Sequence, residues 1–244
     1  MKIIVDIGNS FSKIALFDDG DMIKRTETPV LDQRFIAEFV GKVEIEQIGF
    51  SSVRSSYVAD LKLLQSFGPV TEFREVTQLP IDVDYQAVET LGTDRLASAV
   101  YAASLYRDAN VLTITIGSCM TCDLVTKDGC YRGGSISPGP EMRMKAMHHF
   151  TGKLPDLPLN FNFELPGKST IECMQAGACL GIVAEIEYYI NYYKQHYRNL
   201  NVLLSGGYAP FFEKKIKCTI FAQNDVVLKG LSQILNFYLE HNYK

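Results

Sequence analysis

Apolar and polar positions alternate with a short period at the start of the chain. Ile3 to Val5 forms a β-branched run that stops at Asp6-Ile7-Gly8-Asn9-Ser10. Lys13 to Phe17 forms a second run, and Asp18-Asp19-Gly20 turns the chain into a third, Asp21 to Thr28. Three short strands in succession predict an antiparallel meander. The period then lengthens, and Leu31, Phe35, Ile36 and Phe39 fall on one face of a helix over 31–40. A strand over 46–51 and a helix over 56–67, ended by Gly68-Pro69, complete the block. Residues 90–106 read as the next helix.

A second meander follows, and it repeats the first. An offset of 109 residues carries Asp6 onto Thr115, Gly8 onto Gly117, Ser12 onto Thr121 and Asp19-Gly20 onto Asp128-Gly129 without a gap. Positions 3–5 fall over the apolar run 112–114. This self-similarity predicts an internal duplication. Beyond it come Gly133-Gly134, Pro138-Gly139-Pro140, a helix over 140–150 and a loop reaching Gly167. A long helix or a broken pair fills 168–195, where Ala176, Gly177, Ala178 and Gly181 suit close approach of another backbone. A strand over 201–205 runs into Gly206-Gly207, and a helix over 225–239 closes the chain. The class is α/β, with lobes expected at 1–106 and 107–244.

Composition narrows the partners. The 244 residues are 47% hydrophobic and 21% charged, an ordinary soluble mixture with material for a sizeable core. A net charge of −4, with no basic block, argues against nucleic acid. No uncharged apolar run approaches the ~20 residues of a membrane helix, and the start carries no cleavable leader, so no membrane role and a cytoplasmic place are expected. Six cysteines are scattered, with one CxxC at Cys119 and Cys122. Free thiols packed as small hydrophobes are expected rather than a zinc site.

Three spots concentrate chemistry. Asp6 at a strand end, followed by Gly8, Asn9 and Ser10, suits a phosphate turn, because glycine lets backbone N–H groups approach anionic oxygens. Asp6 itself repels phosphate and suits Mg²⁺ or its water shell. Lys13 could add positive charge from the next strand. The second turn supplies Gly117 and a Ser118 hydroxyl, with Thr115 in place of the acid. Asp123, if buried there, needs donors such as the Ser118 or Thr121 hydroxyls. In "ETLGTDRLASAV", Gly92-Thr93 opens a helix whose first turn holds Asp94 and Arg95, and a helix start keeps a carboxylate ionised. Such a carboxylate can accept the proton of an alcohol meeting ATP, and Arg95 can grip a carboxylate substrate. A capping role for Asp94 and Arg95 stays open. Gly206-Gly207 suits the nucleoside side of a nucleotide. The aromatics of "EIEYYINYYKQHY" suit a packed face or a subunit contact.

With these residues in view, the chain resembles the type III pantothenate kinase (Bvg accessory factor) family. The motifs are "DIGNSFSK" (6–13), "GTDRLASAVYA" (92–102), "GGSISPG" (133–139), "TGKLP" (151–155), "STIECMQAG" (169–177) and "SGGYA" (205–209), in the family's order. The resemblance implies an acetate/sugar kinase–Hsp70–actin-like fold of duplicated ribonuclease-H-like lobes, with mixed five-stranded sheets and flanking helices. It implies ATP-dependent phosphorylation of pantothenate to 4′-phosphopantothenate, the first step of coenzyme A synthesis. Asp94 is implied as the base, and Tyr85, Gly92, Thr93, Arg95 and Thr170 as pantothenate contacts. Asp6, Ile7, Gly8, Asn9, Ser10 and Lys13, with Gly117, Ser118, Cys119 and Thr121, are implied to handle ATP. Gly206 and Gly207 would border the nucleoside, and Asp6 would hold Mg²⁺ directly or through water. A homodimer and a monovalent cation, K⁺ or NH₄⁺, complete the family pattern. Two positions depart from it. Thr115 stands where the family carries the acid that holds the monovalent cation, and Val88 replaces the proline of Tyr-x-x-Pro after Tyr85. The Thr115 change keeps open an alternative, a weakened nucleotide-binding paralogue with a regulatory role.

Overall fold

The computed structural model describes residues 1–9, 11–54 and 56–242. The first sheet grows from the opening meander, β1 (Lys2–Ile7), β2 (Ser12–Asp18) and β3 (Asp21–Thr28). It continues through α1 (Gln33–Val40), β4 (Gln47–Ser52), α2 (Val58–Gln65) and β5 (Val70–Glu72). The strand order is β3-β2-β1-β4-β5, with the meander antiparallel and β1-β4-β5 parallel. Local chemistry sets α1: the Asp32 side chain accepts from the Phe35 N–H at 2.7 Å, and Gly41 ends the helix at φ 68°.

Strand alternation divides the apolar side chains between two layers. Ile3, Val5 and Ile7 pack with Ile36 and Val40 of α1 and Leu64 of α2. Ile4, Ala15 and Phe17 point the other way. They meet Ala97 and Val100 of α3 (Thr93–Leu105) and Leu228, Leu231, Ile234 and Leu235 of α7 (Val226–Asn242). Each of the larger side chains, Val, Leu, Ile or Phe, contributes about 1.5–3 kcal/mol on burial. Two glycines allow this layer: a Cβ on Gly230 of α7 would overlap the Ala97 carbonyl, and one on Gly49 would strike the Phe73 ring at 2.6 Å.

The second sheet contains β6 (Asp82–Val83), β7 (Asn110–Ile116), β8 (Cys119–Val125) and β9 (Cys130–Pro138). After α4 (Pro140–His149) and α5 (Thr170–His196) come β10 (Leu200–Ser205), α6 (Ala209–Glu213) and β11 (Phe221–Ala222). Its order is β11-β10-β7-β8-β9-β6. Five of these strands repeat the first sheet's connectivity and directions, an antiparallel meander followed by two parallel additions. The sheet has six strands instead of five because the two residues of β6 add to the edge beside β9.

Two expectations need correction, and one open alternative is decided in favour of the long helix. The repeat does carry a gap: Asp6 faces Lys13 across its hairpin whereas Thr115 faces Thr121, so the second turn is one residue shorter. Thr121 therefore corresponds to Lys13, not to Ser12. The stretch 168–195 is one continuous helix, whose Ile182, Ile186 and Ile190 cover Leu112, Ile114 and Ile116. Its glycines do not admit a backbone: a Cβ on Gly177 would meet nothing within 4 Å, and Gly181 makes room for the Arg143 side chain.

Two compact units result, and they do not divide at 106–107. The first comprises Met1–Asp82, Gln86–Tyr101 and the closing helix from Val226; the second comprises Val83–Tyr85 and Ala102–Asp225. The closing helix joins the first unit because its apolar face packs on β1 and α3. Among the described residues no helix is long and apolar enough to cross a membrane.

Candidate active site

Alternation along β1 puts Asp6 on the same face as Ile4, the face that α3 covers. Its cross-strand neighbours are Lys13 on one side and Ser51 of β4 on the other. The Ser51 hydroxyl and the Lys13 charge favour the carboxylate. Burial and, next, the negative charge of Asp94 outweigh them and push Asp6 up to about 6. Two carboxylates therefore share one corner of the first unit, an unfavourable pairing unless a cation joins them.

Asp94 reaches this corner from the first turn of α3. The Arg95 and Leu96 N–H groups close that turn on the Gly92 carbonyl, at 3.1 and 3.2 Å. A Cβ at position 92 would lie 2.5 Å from Asp94 Oδ1, so glycine leaves the room the carboxylate occupies. Arg95 is buried, with 6% of its surface exposed. Thr93 and Ser51 line a cavity of about 680 Å³ beside the carboxylates, whose other walls mix apolar side chains with Ser52, Thr77, Arg74 and Glu89.

The turn after β1 is tied down by backbone. Gly8 N–H donates to the Phe11 carbonyl at 3.0 Å, and Val53 N–H to the Ile7 carbonyl at 3.0 Å. Arg54 Nε donates to the Gly8 carbonyl at 2.9 Å. Asn9 is exposed. Ser10 lies outside the described residues.

In the second unit the matching turn is built from close backbone contacts. Gly117 N–H donates to the Cys119 carbonyl at 2.9 Å, and Gly139 N–H to the Ser118 carbonyl at 3.0 Å. Gly206, at φ 99°, presses on Ile116 so closely that any Cβ would overlap that backbone; Gly207 faces open space. Gly117, Ser118, Cys119, Gly206 and Gly207 are thus neighbours, with Thr115 and Thr121 paired behind them. The Tyr208 hydroxyl donates to Glu141 at 2.6 Å, and burial together with that carboxylate raises its pKa.

Two residues expected at the site lie apart from this turn. Tyr85 packs on Tyr131, with ring centroids 6.1 Å apart, and over Gly133. Thr170 opens α5 behind its Ser169 cap and lines a separate cavity of about 500 Å³ with Met147, Lys168 and Cys173. Asp123 is buried, and the Tyr131 hydroxyl donates to it at 2.8 Å. Cys122 packs in the core, where burial raises its thiol pKa.

A model of the type III pantothenate kinase family matches residues 2–192. The chain belongs to this family. A type III pantothenate kinase from Cytophaga hutchinsonii is 40% identical over 238 residues, 97% of this chain and 99% of the relative. Another from Azobacteroides pseudotrichonymphae is 38% identical, over 96% of each chain. Among solved structures, a Baf family protein from Campylobacter jejuni is alike in fold, with a TM-score of 0.60 at 20% identity over 96% of this chain and 98% of that one. Ser51 and Arg54 escape a reading by local motif. Parallel β1–β4 pairing was the signal for Ser51, since polar residues at the carboxyl ends of adjacent parallel strands converge.

Proposed function

We propose that this protein transfers the γ-phosphoryl group of ATP to the primary alcohol of pantothenate, giving 4′-phosphopantothenate and ADP, the first step of coenzyme A synthesis. The observation that carries the reading is the Asp6–Asp94 pair beside a glycine turn, in a chain of this family. Asp94 accepts the hydroxyl proton as the alcohol oxygen bonds to the γ-phosphorus and the bond to the ADP oxygen breaks. The helix start favours negative charge at Asp94, while Gly92 and the Ser98 hydroxyl, which donates to the Asp94 carbonyl at 2.9 Å, hold its turn.

The Gly8–Asn9 backbone takes the phosphates, Asp6 meets them through Mg²⁺, and Lys13 adds charge beside them. Asp6 fits a magnesium ion carried in on phosphate: one protein carboxylate suffices for it, and the ion's charge would offset the burial and the Asp94 repulsion that raise Asp6. Bound there, Mg²⁺ supplies charge neutralisation for the triphosphate. Among the described residues no three His, Cys, Asp or Glu side chains form a cage of their own. In the second unit, Gly117, Ser118, Cys119 and Thr121 are assigned to the phosphates, and Gly206 with Gly207 to the nucleoside. Gly92, Thr93 and Arg95, together with Tyr85 and Thr170, are assigned to pantothenate. The working form is a homodimer, for which the exposed Tyr188 and Tyr192 of α5 offer apolar surface.

Incubating the purified chain with Mg²⁺, ATP and pantothenate tests the reading, with 4′-phosphopantothenate as the expected product. Nucleotide binding without any phosphorylated product would favour instead the regulatory paralogue, the reading that the loss of an acid at Thr115 keeps alive.

A further inference from the structure

The strand β4 ends in Ser52, and the chain leaving it runs back along the phosphate turn. Val53 N–H donates to the Ile7 carbonyl, Arg54 N–H to Ser52 Oγ at 3.2 Å, and Arg54 Nε to the Gly8 carbonyl at 2.9 Å. The last of these ties a side chain to a backbone group 46 residues away. Arg54 is half-buried, and it is not among the charges that act on Asp6, whose compensating cation is Lys13. Its place is therefore one of geometry rather than of charge balance at the carboxylate pair.

We propose that Arg54 is a positioning residue for nucleotide binding: its Nε–H holds the Gly8 carbonyl and thereby sets the Gly8–Asn9 peptide plane of the phosphate turn. In a planar trans peptide the C=O and the following N–H point opposite ways. Fixing the Gly8 carbonyl toward Arg54 directs the Asn9 N–H away from it. Glycine is the residue whose peptide most needs such a tie, because it has the widest backbone freedom. Crowding already limits this glycine, since a Cβ there would lie 3.1 Å from the Phe11 carbonyl. Without the Arg54 bond, the Gly8–Asn9 peptide must be ordered when phosphate binds, and nucleotide affinity falls by that cost.

This inference rests on the kinase reading, and its test uses nucleotide binding, which that reading's turnover assay does not measure. The full-length protein is titrated with Mg-ADP by calorimetry, as wild type, Arg54→Met and Arg54→Gln, beside KM for pantothenate and thermal midpoints. Methionine keeps the apolar stem and loses the donor. Glutamine places an N–H donor the same number of bonds from Cα as Nε, without the charge. Arg54→Met is expected to weaken ADP by about fivefold to tenfold, the worth of one hydrogen bond, with KM for pantothenate and the midpoint unchanged. Arg54→Gln is expected to recover affinity to within about twofold of wild type. Equal ADP affinity in all three proteins would overturn the proposal. So would a glutamine variant as weak as methionine, which would make the charge the active element, or an equal loss for pantothenate and ADP. Should Arg54→Met fail to fold, Arg54→Gln against Arg54→Ala gives the same comparison. A wild type that binds no ADP would overturn the kinase reading and this inference together.

Discussion

Asp6 carries a cost that the fold alone does not repay. Its carboxyl titrates near 6 in the folded chain, against 3.8 for the free side chain, because burial and Asp94 both oppose its charge. The unfolded chain thus releases this proton first, and the group's contribution to stability falls as pH rises from 3.8 toward 6. Asp6→Asn is expected to unfold at higher temperature than wild type at pH 8, with the gap closing as pH falls below 4, while losing affinity for Mg-ATP. Midpoints of both proteins across that range check the sign. A variant less stable than wild type at every pH would refute the account of Asp6. Both acids were legible because each sits on a local signal, a strand running into glycine and a glycine opening a helix. Ser51 and Arg54 were not, because their partners Asp6 and Gly8 lie some 45 residues away and meet them only through β1–β4 pairing.

Elements show which glycines serve the fold and which face outward. Gly206 holds φ 99° against the Ile116 backbone, so Gly206→Ala is expected to cost at least ~2 kcal/mol in chemical denaturation. Gly207→Ala meets no atom within 4 Å and is expected to leave stability within about 0.5 kcal/mol, yet to raise KM for ATP. Stability lost equally in both would contradict the distinction. Most long elements were readable from period, since 3.6-residue and 2-residue alternations survive wherever a face is buried. The strands β5, β6 and β11 were not, because two or three residues carry no period. Neither was the shorter second hairpin, since offset matching sees residue types and not which strand residues face each other. Asp123 found Tyr131 on β9, a cross-strand donor that a search of its own turn could not reach.

The whole molecule is one plan used twice with unequal chemistry. Each sheet repeats the same five-strand order, yet Asp6 has Thr115 as its counterpart, and Lys13 has Thr121. Duplication was visible in sequence; the return of α7 to the first unit was not, because an apolar helix face does not name the sheet it covers. With hydroxyls alone at Thr115, Ser118 and Thr121, the second turn lacks the carboxylate that would draw a monovalent cation. Replacing K⁺ by Na⁺ is therefore expected to change turnover by less than about twofold. Strict potassium dependence would mean that another group supplies the ligand. Tyr188→Glu on α5 is expected to shift the sedimenting species toward monomer if that surface joins two copies; an unchanged dimer would place the contact elsewhere. The central claim, that Asp94 takes the proton of the pantothenate alcohol, is tested most directly by single-turnover phosphoryl transfer in Asp94→Asn beside wild type. The account predicts a fall of about 10²–10⁴-fold with Mg-ADP affinity intact. An asparagine variant within about tenfold of wild type would contradict it.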